Sequence, residues 1–374
     1  MDNENNVSGP AESDEVTEKA ENTEKTKKKK GKVLIKVLLT VLVVILSLAA
    51  TLVGTYFILR AIGKSHFHPA VMKIDEIKTV DNVVAYDEGK TLKYNGKTYK
   101  YNEDIIFLAF MGVDKNELDS EEGVAHSAGQ SDTNMLIAVD TESGKMSLVI
   151  IPRDAMAEVN IYDAEGKQVG ITKIQLCLAY SYGDGRETSC ENVIKSMERL
   201  LYGIEINNYF SLDLKGIGAL NDAVGGVEVV CLETIKNFCY EGEVKTLRGR
   251  QAQKYVQIRD TSTFNSDSLR RARQVQYAKA FAVKAFAAIK EDFSMAADLY
   301  SIASDYSCTN FDITRFTYLV SVIIDKYDSF SISEDDIYVL PGEAKMGETY
   351  MEVELDREAV FETILKVFYK EVNE

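Results

Sequence analysis

From Val37 to Leu59 the chain runs 23 positions without a charged residue. At about 1.5 Å per residue that is roughly 35 Å of helix, enough to cross a bilayer with some tilt. Residues 1–32 before it are strongly polar, with Val7 and Val16 as isolated aliphatics. Such a segment cannot bury enough apolar surface to fold, so it is predicted to be a disordered tail. Beyond the apolar span, residues 61–103 read as a short stalk that ends in a β-hairpin. Leu92 to Tyr101 alternates around Asn95-Gly96, a pair suited to a tight hairpin turn.

After Asp104 the pattern changes. Ile105-Ile106-Phe107-Leu108-Ala109-Phe110-Met111 is a continuous apolar run, as expected of a strand buried on both faces. Further strands are predicted at Asn134–Val139, Met146–Ile151, Tyr209–Leu214, Val227–Cys231 and Ile337–Leu340. Helical spacing falls between them at about 173–182, 189–201, 215–224, 249–257, 267–290, 312–327 and 356–371, and none of the four prolines interrupts these stretches. Interleaved strands and helices over residues 104–374 predict one α/β domain with a central sheet flanked by helices. The predicted order is therefore a tail at 1–32, an anchor at 33–60, a stalk at 61–103 and the domain.

Charge sets the orientation. Lys27 to Lys30, Lys32 and Lys36 precede the apolar span, and only Arg60 and Lys64 follow closely. The positive-inside rule puts the N-terminus in the cytoplasm and the domain outside, as a single-pass membrane protein. Of the net charge of −16, residues 1–32 hold seven Lys against eight acidic residues and 33–60 add Lys36 and Arg60, which leaves −17 for the exterior part. So acidic a domain is a poor binder of nucleic acid. The five cysteines, an odd number at irregular spacing, make no disulfide scaffold, although Cys231 with Cys239, or Cys177 with Cys190, could bridge. No Cys-x-x-Cys is present, so zinc and redox chemistry find little support.

The chemistry gathers at the edges of the apolar runs, where loops leave strands and sites tend to be built. Asp114 follows the first strand and Asp132 opens the next, both short carboxylates of the kind that suit Mg2+. Each alone fits a turn or a helix cap equally well. Arg153 follows Met146–Ile151, and Arg259 follows a helical stretch. Their planar guanidinium groups can grip phosphate oxygens in pairs. Arg270, Arg273 and Gln274, spaced i, i+3, i+4, face one side of a helix that begins near Asp267, where an anion is favoured. Arg271, about 100° around that helix, is expected to be solvated. Ala278, Phe281, Ala282, Ala285 and Phe286 form an apolar stripe further along, which reads first as core. Taken together these residues predict a phosphate or pyrophosphate site.

Gly112-Val113-Asp114, Ser131-Asp132-Thr133, Ile151-Pro152-Arg153-Asp154, Asp222-Ala223-Val224-Gly225-Gly226-Val227, Gln251-Ala252 with Tyr255-Val256 and Arg259, and Arg270-x-x-Arg273-Gln274 occur in an order and spacing that resemble the LytR-CpsA-Psr family of bacterial cell-envelope proteins. The resemblance covers roughly residues 100–290. It implies an Mg2+-dependent transferase that moves a glycopolymer, such as teichoic acid, from an undecaprenyl-pyrophosphate carrier to peptidoglycan. It further implies that Asp114 and Asp132 hold Mg2+, that Arg153, Arg259, Arg270 and Gln274 grip the pyrophosphate, and that an apolar tunnel shelters the lipid chain. Gln130, Gln257 and Arg273 would add substrate contacts. Gln130 and Gln257 stand where family members often carry Arg, and supply a hydrogen bond without charge. Asp267 and Asp154 are the carboxylates available as a base for the acceptor hydroxyl, with Asp267 favoured for its place one turn from Arg270. A non-catalytic polyprenyl-phosphate scaffold and a lipid pyrophosphatase are the competing readings. A transcriptional role finds no support, since the chain shows no helix-turn-helix pattern.

Overall fold

Apolar residues at odd and even positions alike make the middle strands sticky on both faces, and the architecture follows from how each face is covered. The computed structural model describes residues 11–118, 128–163, 165–259, 266–326, 332–347 and 350–372. It divides into two units, Met1–Leu59 and Arg60–Glu374.

The helix α1 (Ala11–Ser65) makes up the described part of the first unit and runs into the second. Its stretch Ile35–Ser65 is long and apolar enough to cross a membrane. Most large apolar side chains there are exposed, up to 72% at Leu52, a surface suited to lipid rather than to water. Residues 11–32, expected to be disordered, continue as helix. Ala, Glu and Lys, frequent in this stretch, are good helix formers.

The second unit begins with one turn, α2 (Ile74–Ile77), and the strands β1 (Val83–Tyr86), β2 (Thr91–Tyr94), β3 (Lys97–Tyr101), β4 (Ile105–Val113), β5 (Ser131–Asp140) and β6 (Met146–Ile151). The hairpin β7 (Met156–Tyr162) and β8 (Gln168–Gln175) precedes α3 (Glu187–Leu200), β9 (Tyr209–Leu212), α4 (Leu214–Ala223), β10 (Val227–Val230) and β11 (Val244–Leu247). Next come α5 (Arg250–Gln257), α6 (Ser266–Glu291), α7 (Ser294–Asp305), β12 (Ser307–Thr309), α8 (Ile313–Asp325), β13 (Ile337–Val339), β14 (Gly342–Met346), β15 (Met351–Leu355), α9 (Arg357–Phe368) and β16 (Tyr369–Val372).

The central sheet has the order β12-β9-β4-β5-β6-β13. It is mixed: β4 pairs antiparallel with β5 and parallel with β9, and β13 runs parallel to β6. Phe107, Ala109, Met111, Leu136, Ala138, Val149 and Ile151 face one way, into a core shared with α3 and α9. Ile106, Leu108, Phe110, Met135, Ile137 and Leu148, the alternate positions, face α4, α6, α7 and α8 across a cavity. The α/β domain with helices on both faces of its sheet is as expected.

Residues 61–103 are not a separate stalk. Asn95 and Gly96 form the expected turn with φ of 49° and 79°, but the hairpin continues into a sheet of order β1-β2-β3-β16 and sends Leu92, Tyr94 and Tyr101 into the core. The helix expected at 356–371 ends at Phe368, because Tyr369–Val372 pairs with β3. Residues 173–182, also expected to be helical, are the end of β8 and a 3-10 turn. The strand at 227–231 pairs with β11 outside the main sheet.

Phe361 is fully buried, edge-on to Tyr94 at 5.2 Å and to Tyr202 at 5.6 Å between ring centres. It joins the N-terminal hairpin to the C-terminal helix. Phe361→Ala is expected to destabilise the exterior domain by about 3–5 kcal/mol, as read by chemical denaturation of the detergent-solubilised protein.

Candidate functional site

Three strand ends and one helix build the site. β4 departs from regular register at Gly112/Val113, and Asp114 leaves it bonded twice to Gln130. The Asp114 amide donates to the Gln130 carbonyl at 3.0 Å, and the Gln130 amide donates to Asp114 Oδ1 at 2.6 Å. Gly129 permits this approach. Its φ is +92°, and a Cβ there would lie 2.8 Å from Asp114 Oδ1.

Asp132, second residue of β5, takes Arg153 Nη1 on Oδ1 and Arg270 Nη1, at 3.4 Å, on Oδ2. Arg153 follows β6 and is fully engaged. It donates to Gln130 Oε1 at 2.7 Å, to Asp154 Oδ1 at 3.2 Å and to Cys177 Sγ at 3.3 Å. Arg270 projects from the start of α6 and is buried. Burial holds the Asp132 carboxyl above its ordinary pKa. Arg153 and Arg270 oppose that shift, while the charges of Asp114 and Asp154 add to it. Burial also pushes the Cys177 thiol up to about 12, so it stays protonated beside Arg153.

Behind this cluster lies a cavity of about 450 Å³. Asp114, Asp132, Thr133, Gln257, Arg270 and Gln274 line its polar end, and the rest of the wall is almost wholly apolar. The wall follows β4 from Gly112 back to Ile106, which is roughly 20 Å of strand. Ala278, Phe281, Ala282, Ala285 and Phe286 on α6 line the same space. The stripe that reads as core from sequence is therefore the wall of a cavity.

The structure thus brings together Asp114, Gln130, Asp132, Arg153, Arg270, Gln274 and Gln257, which lie up to 160 positions apart. Gln130 acts through Arg153, whose Nη2 it accepts. Arg259, just past α5, is exposed and is not among the residues that line the cavity. Arg273 is also not a surface for substrate. It is 1% exposed and bonds the Tyr255 and Ile258 carbonyls and the Glu233 carboxylate. Arg271, expected to be solvated, is half-buried. The side chain of Asp267 lies outside the described residues. Sequence reasoning missed Cys177 and Glu233, whose contacts with Arg153 and Arg273 span 24 and 40 positions and leave no local signature.

No group of three or more His, Cys, Asp or Glu that could hold a metal is present among the described residues. Asp114 and Asp132 both line the polar end of the cavity, and carboxylates are the donor type that Mg2+ takes, one or two at a time, with water and substrate oxygens to complete its shell. Their mutual repulsion, felt in the raised Asp132 pKa, is what a divalent cation would relieve.

A polar cluster rich in arginine and aspartate thus stands at one end of an apolar cavity. The chain belongs to the LytR_cpsA_psr family, which it matches over residues 72–366. It is 26% identical over 225 residues to a protein of Oceanobacillus iheyensis named polyisoprenyl-teichoic acid–peptidoglycan teichoic acid transferase TagU, a match that covers 59% of this chain and 63% of that relative. The fold is similar to that of protein gbs0355 from Streptococcus agalactiae, with a TM-score of 0.57, 21% identity and coverage of 71% and 86% of the two chains. It is also similar to that of B. subtilis TagV, with a TM-score of 0.51, 22% identity and coverage of 71% and 95%.

The Asp132 shift has a consequence for stability. From about pH 4 upward an ordinary carboxyl is ionised, while the raised folded pKa keeps a proton on Asp132. The folded state then binds more protons than the unfolded chain, so this contribution to stability falls as pH rises through that window and is constant above it. Relative to wild type, Asp132→Asn is expected to gain stability across the window in urea denaturation measured at a series of pH values. The opposite slope would mean that the arginine pairs outweigh burial.

Proposed function

We propose that this protein transfers a glycopolymer from an undecaprenyl-pyrophosphate carrier to peptidoglycan, with Mg2+ bound by Asp114 and Asp132. The observation that carries the reading is the continuity of the Asp132–Arg153–Arg270 cluster with an apolar cavity, a charged seat opening directly on a hydrocarbon-lined space. The names of relatives in the family agree with it.

On this reading the lipid tail lies along β4 and α6, and the pyrophosphate sits at the polar end. The acceptor hydroxyl oxygen attacks the phosphorus that bears the polymer. A new P–O bond forms as the P–O bond to undecaprenyl phosphate breaks, and the hydroxyl proton passes to a carboxylate. Asp154 stands ready at Arg153, while Asp267 belongs to the first turn of α6. Arg270 and Arg153 stabilise the charge that gathers on the leaving phosphate. Three carboxylates, Asp114, Asp132 and Asp154, face these two arginines, so an anion needs further positive charge. Mg2+ held by Asp114 and Asp132 would supply it and would polarise the phosphoryl oxygens.

Transfer from a synthetic lipid-pyrophosphate-linked saccharide to peptidoglycan is the test. Asp114→Ala and Asp132→Ala are expected to abolish Mg2+-dependent release of undecaprenyl phosphate without unfolding the protein. Arg270→Ala is expected to cost about 1.5–3 kcal/mol in kcat/KM, roughly 10- to 150-fold. Arg250→Ala, which removes the same charge from an exposed place on α5, should stay within about 0.5 kcal/mol. Equal losses would reduce the site to general electrostatics, and release without transfer would make the protein a pyrophosphatase.

We further propose that the domain lies outside the cell with the N-terminus in the cytoplasm. The lysines before Val37 support this, as does the Cys231–Cys239 disulfide, a bond typical of oxidising compartments. Protease added to intact spheroplasts is expected to degrade the domain and spare the first 32 residues; a protected domain would reverse the topology.

A further inference from the structure

Arg273 is the largest fully buried side chain among the described residues. It lies one turn from Arg270 on α6, yet all its bonds face away from the cavity. Nε donates to the Tyr255 carbonyl at 2.8 Å, and Nη2 donates to the Ile258 carbonyl. The neighbouring Gln274 Nε2 reaches the Val256 carbonyl at 3.3 Å. These three carbonyls belong to the C-terminal end of α5, where helical partners run out. Arg273 and Gln274 therefore fasten α6 to the end of α5, from which Gln257 enters the cavity wall.

A guanidinium so deeply buried needs a counterion. Glu233 supplies it by accepting Arg273 Nη1. Glu233 comes from the loop between β10 and β11, which the Cys231–Cys239 disulfide closes on itself. The same loop stacks Phe238 on Tyr255, with ring centres 6.2 Å apart. Loop, α5 and α6 thus meet at one pair of charges behind the site.

We propose that Glu233 is a positioning residue for the anion site: acting through Arg273, and held by the Cys231–Cys239 clasp, it sets Arg270, Gln274 and Gln257 in the arrangement that grips a pyrophosphate. The inference rests on the reading of this site as a lipid-pyrophosphate site. Its sign separates it from simple electrostatics. Removal of a negative charge near an anion site should tighten anion binding, whereas loss of a positioning group should weaken it.

Binding of geranylgeranyl pyrophosphate and of geranylgeraniol to the full-length protein in nanodiscs, with Mg2+ present, tests both levels. Wild type is expected to prefer the pyrophosphate. If it binds both probes equally, the underlying functional reading fails whatever the variants do. Given that preference, Glu233→Gln is expected to weaken pyrophosphate binding roughly tenfold, the scale of one charge-assisted contact, and to leave geranylgeraniol binding unchanged. Glu233→Asp, which keeps the charge, should recover most of the loss and guards against a variant that fails to fold. The double variant Cys231→Ser/Cys239→Ser should weaken pyrophosphate binding in the same direction. Pyrophosphate binding in Glu233→Gln that is unchanged or tighter overturns the proposal, as does an equal loss for both probes. Unchanged binding in the cysteine variant overturns the role of the clasp.

Discussion

One carboxylate shared by two arginines organises the polar end of this domain. Arg153 and Arg270 come from a strand end and a helix start 117 positions apart, and without Asp132 two cations would face each other in a largely dry space. The desolvation cost of such charges is met only when they are paired. Asp132 therefore fixes where β6 ends relative to α6 before any ligand arrives, and a ligand meets donors that are already ordered. Gln130 works in the same sense. A carboxamide oxygen accepts from Arg153 at 2.7 Å, where an arginine would add a third cation to the cluster.

The second constraint is the sheet. A strand that is apolar on both faces must have both covered, and here the two coverings differ. α3 and α9 close tightly on one face, whereas α4, α6, α7 and α8 stand off the other and leave a cavity. Small residues make this possible: Ala278, Ala282 and Ala285 give α6 a shallow surface, and Phe281 and Phe286 wall the space between them. Side chains that line a cavity of this size forgo packing against one another, a cost that dense interiors normally avoid. On the proposed reading the lipid tail packs along roughly 20 Å of this strand and offsets that cost.

Much of this was legible in the sequence, because local chemistry dictated it. The run at Ile105–Met111, the Asn95-Gly96 turn and the polar ends at Asp114, Asp132 and Arg153 carry their own signals in residue order. The failures have physical causes too. Hydrophobicity reports that a stripe avoids water, not whether it meets side chains or a void, so the α6 stripe read as core. Spacing placed Arg270 and Arg273 on one helix face, but the free carbonyls at the end of α5 that claim Arg273 are a tertiary fact. The helical period at 356–371 could not show that Tyr369 would find an open edge at β3. The alternation of Val159 and Ile161 in β7 was present and went unread, as did the helical stretch at α7.

The two ends of the site read different things, and this limits what the cavity can select. An apolar wall senses the length and bulk of a hydrocarbon, since dispersion and water exclusion carry no direction. The polar end senses charge and the spacing of oxygens. Among the described residues, the cavity's polar groups are engaged in the Asp132 cluster or lie beside it, and neither end offers a further set of donors and acceptors suited to sugars. On the proposed reading the buried site therefore recognises the carrier, which is common to many polymers, and not the polymer itself. On that reading, discrimination between polymers falls to groups off the cavity wall, such as the exposed surfaces of Arg259 and of the β7–β8 and β14–β15 hairpins. The β14–β15 hairpin is joined to the site through the Val353 amide, which donates to the Asp154 carbonyl at 2.9 Å. On the same reading, recognition of the lipid carrier and choice of its cargo are separable, and changes away from the cavity can alter the second without disturbing the first.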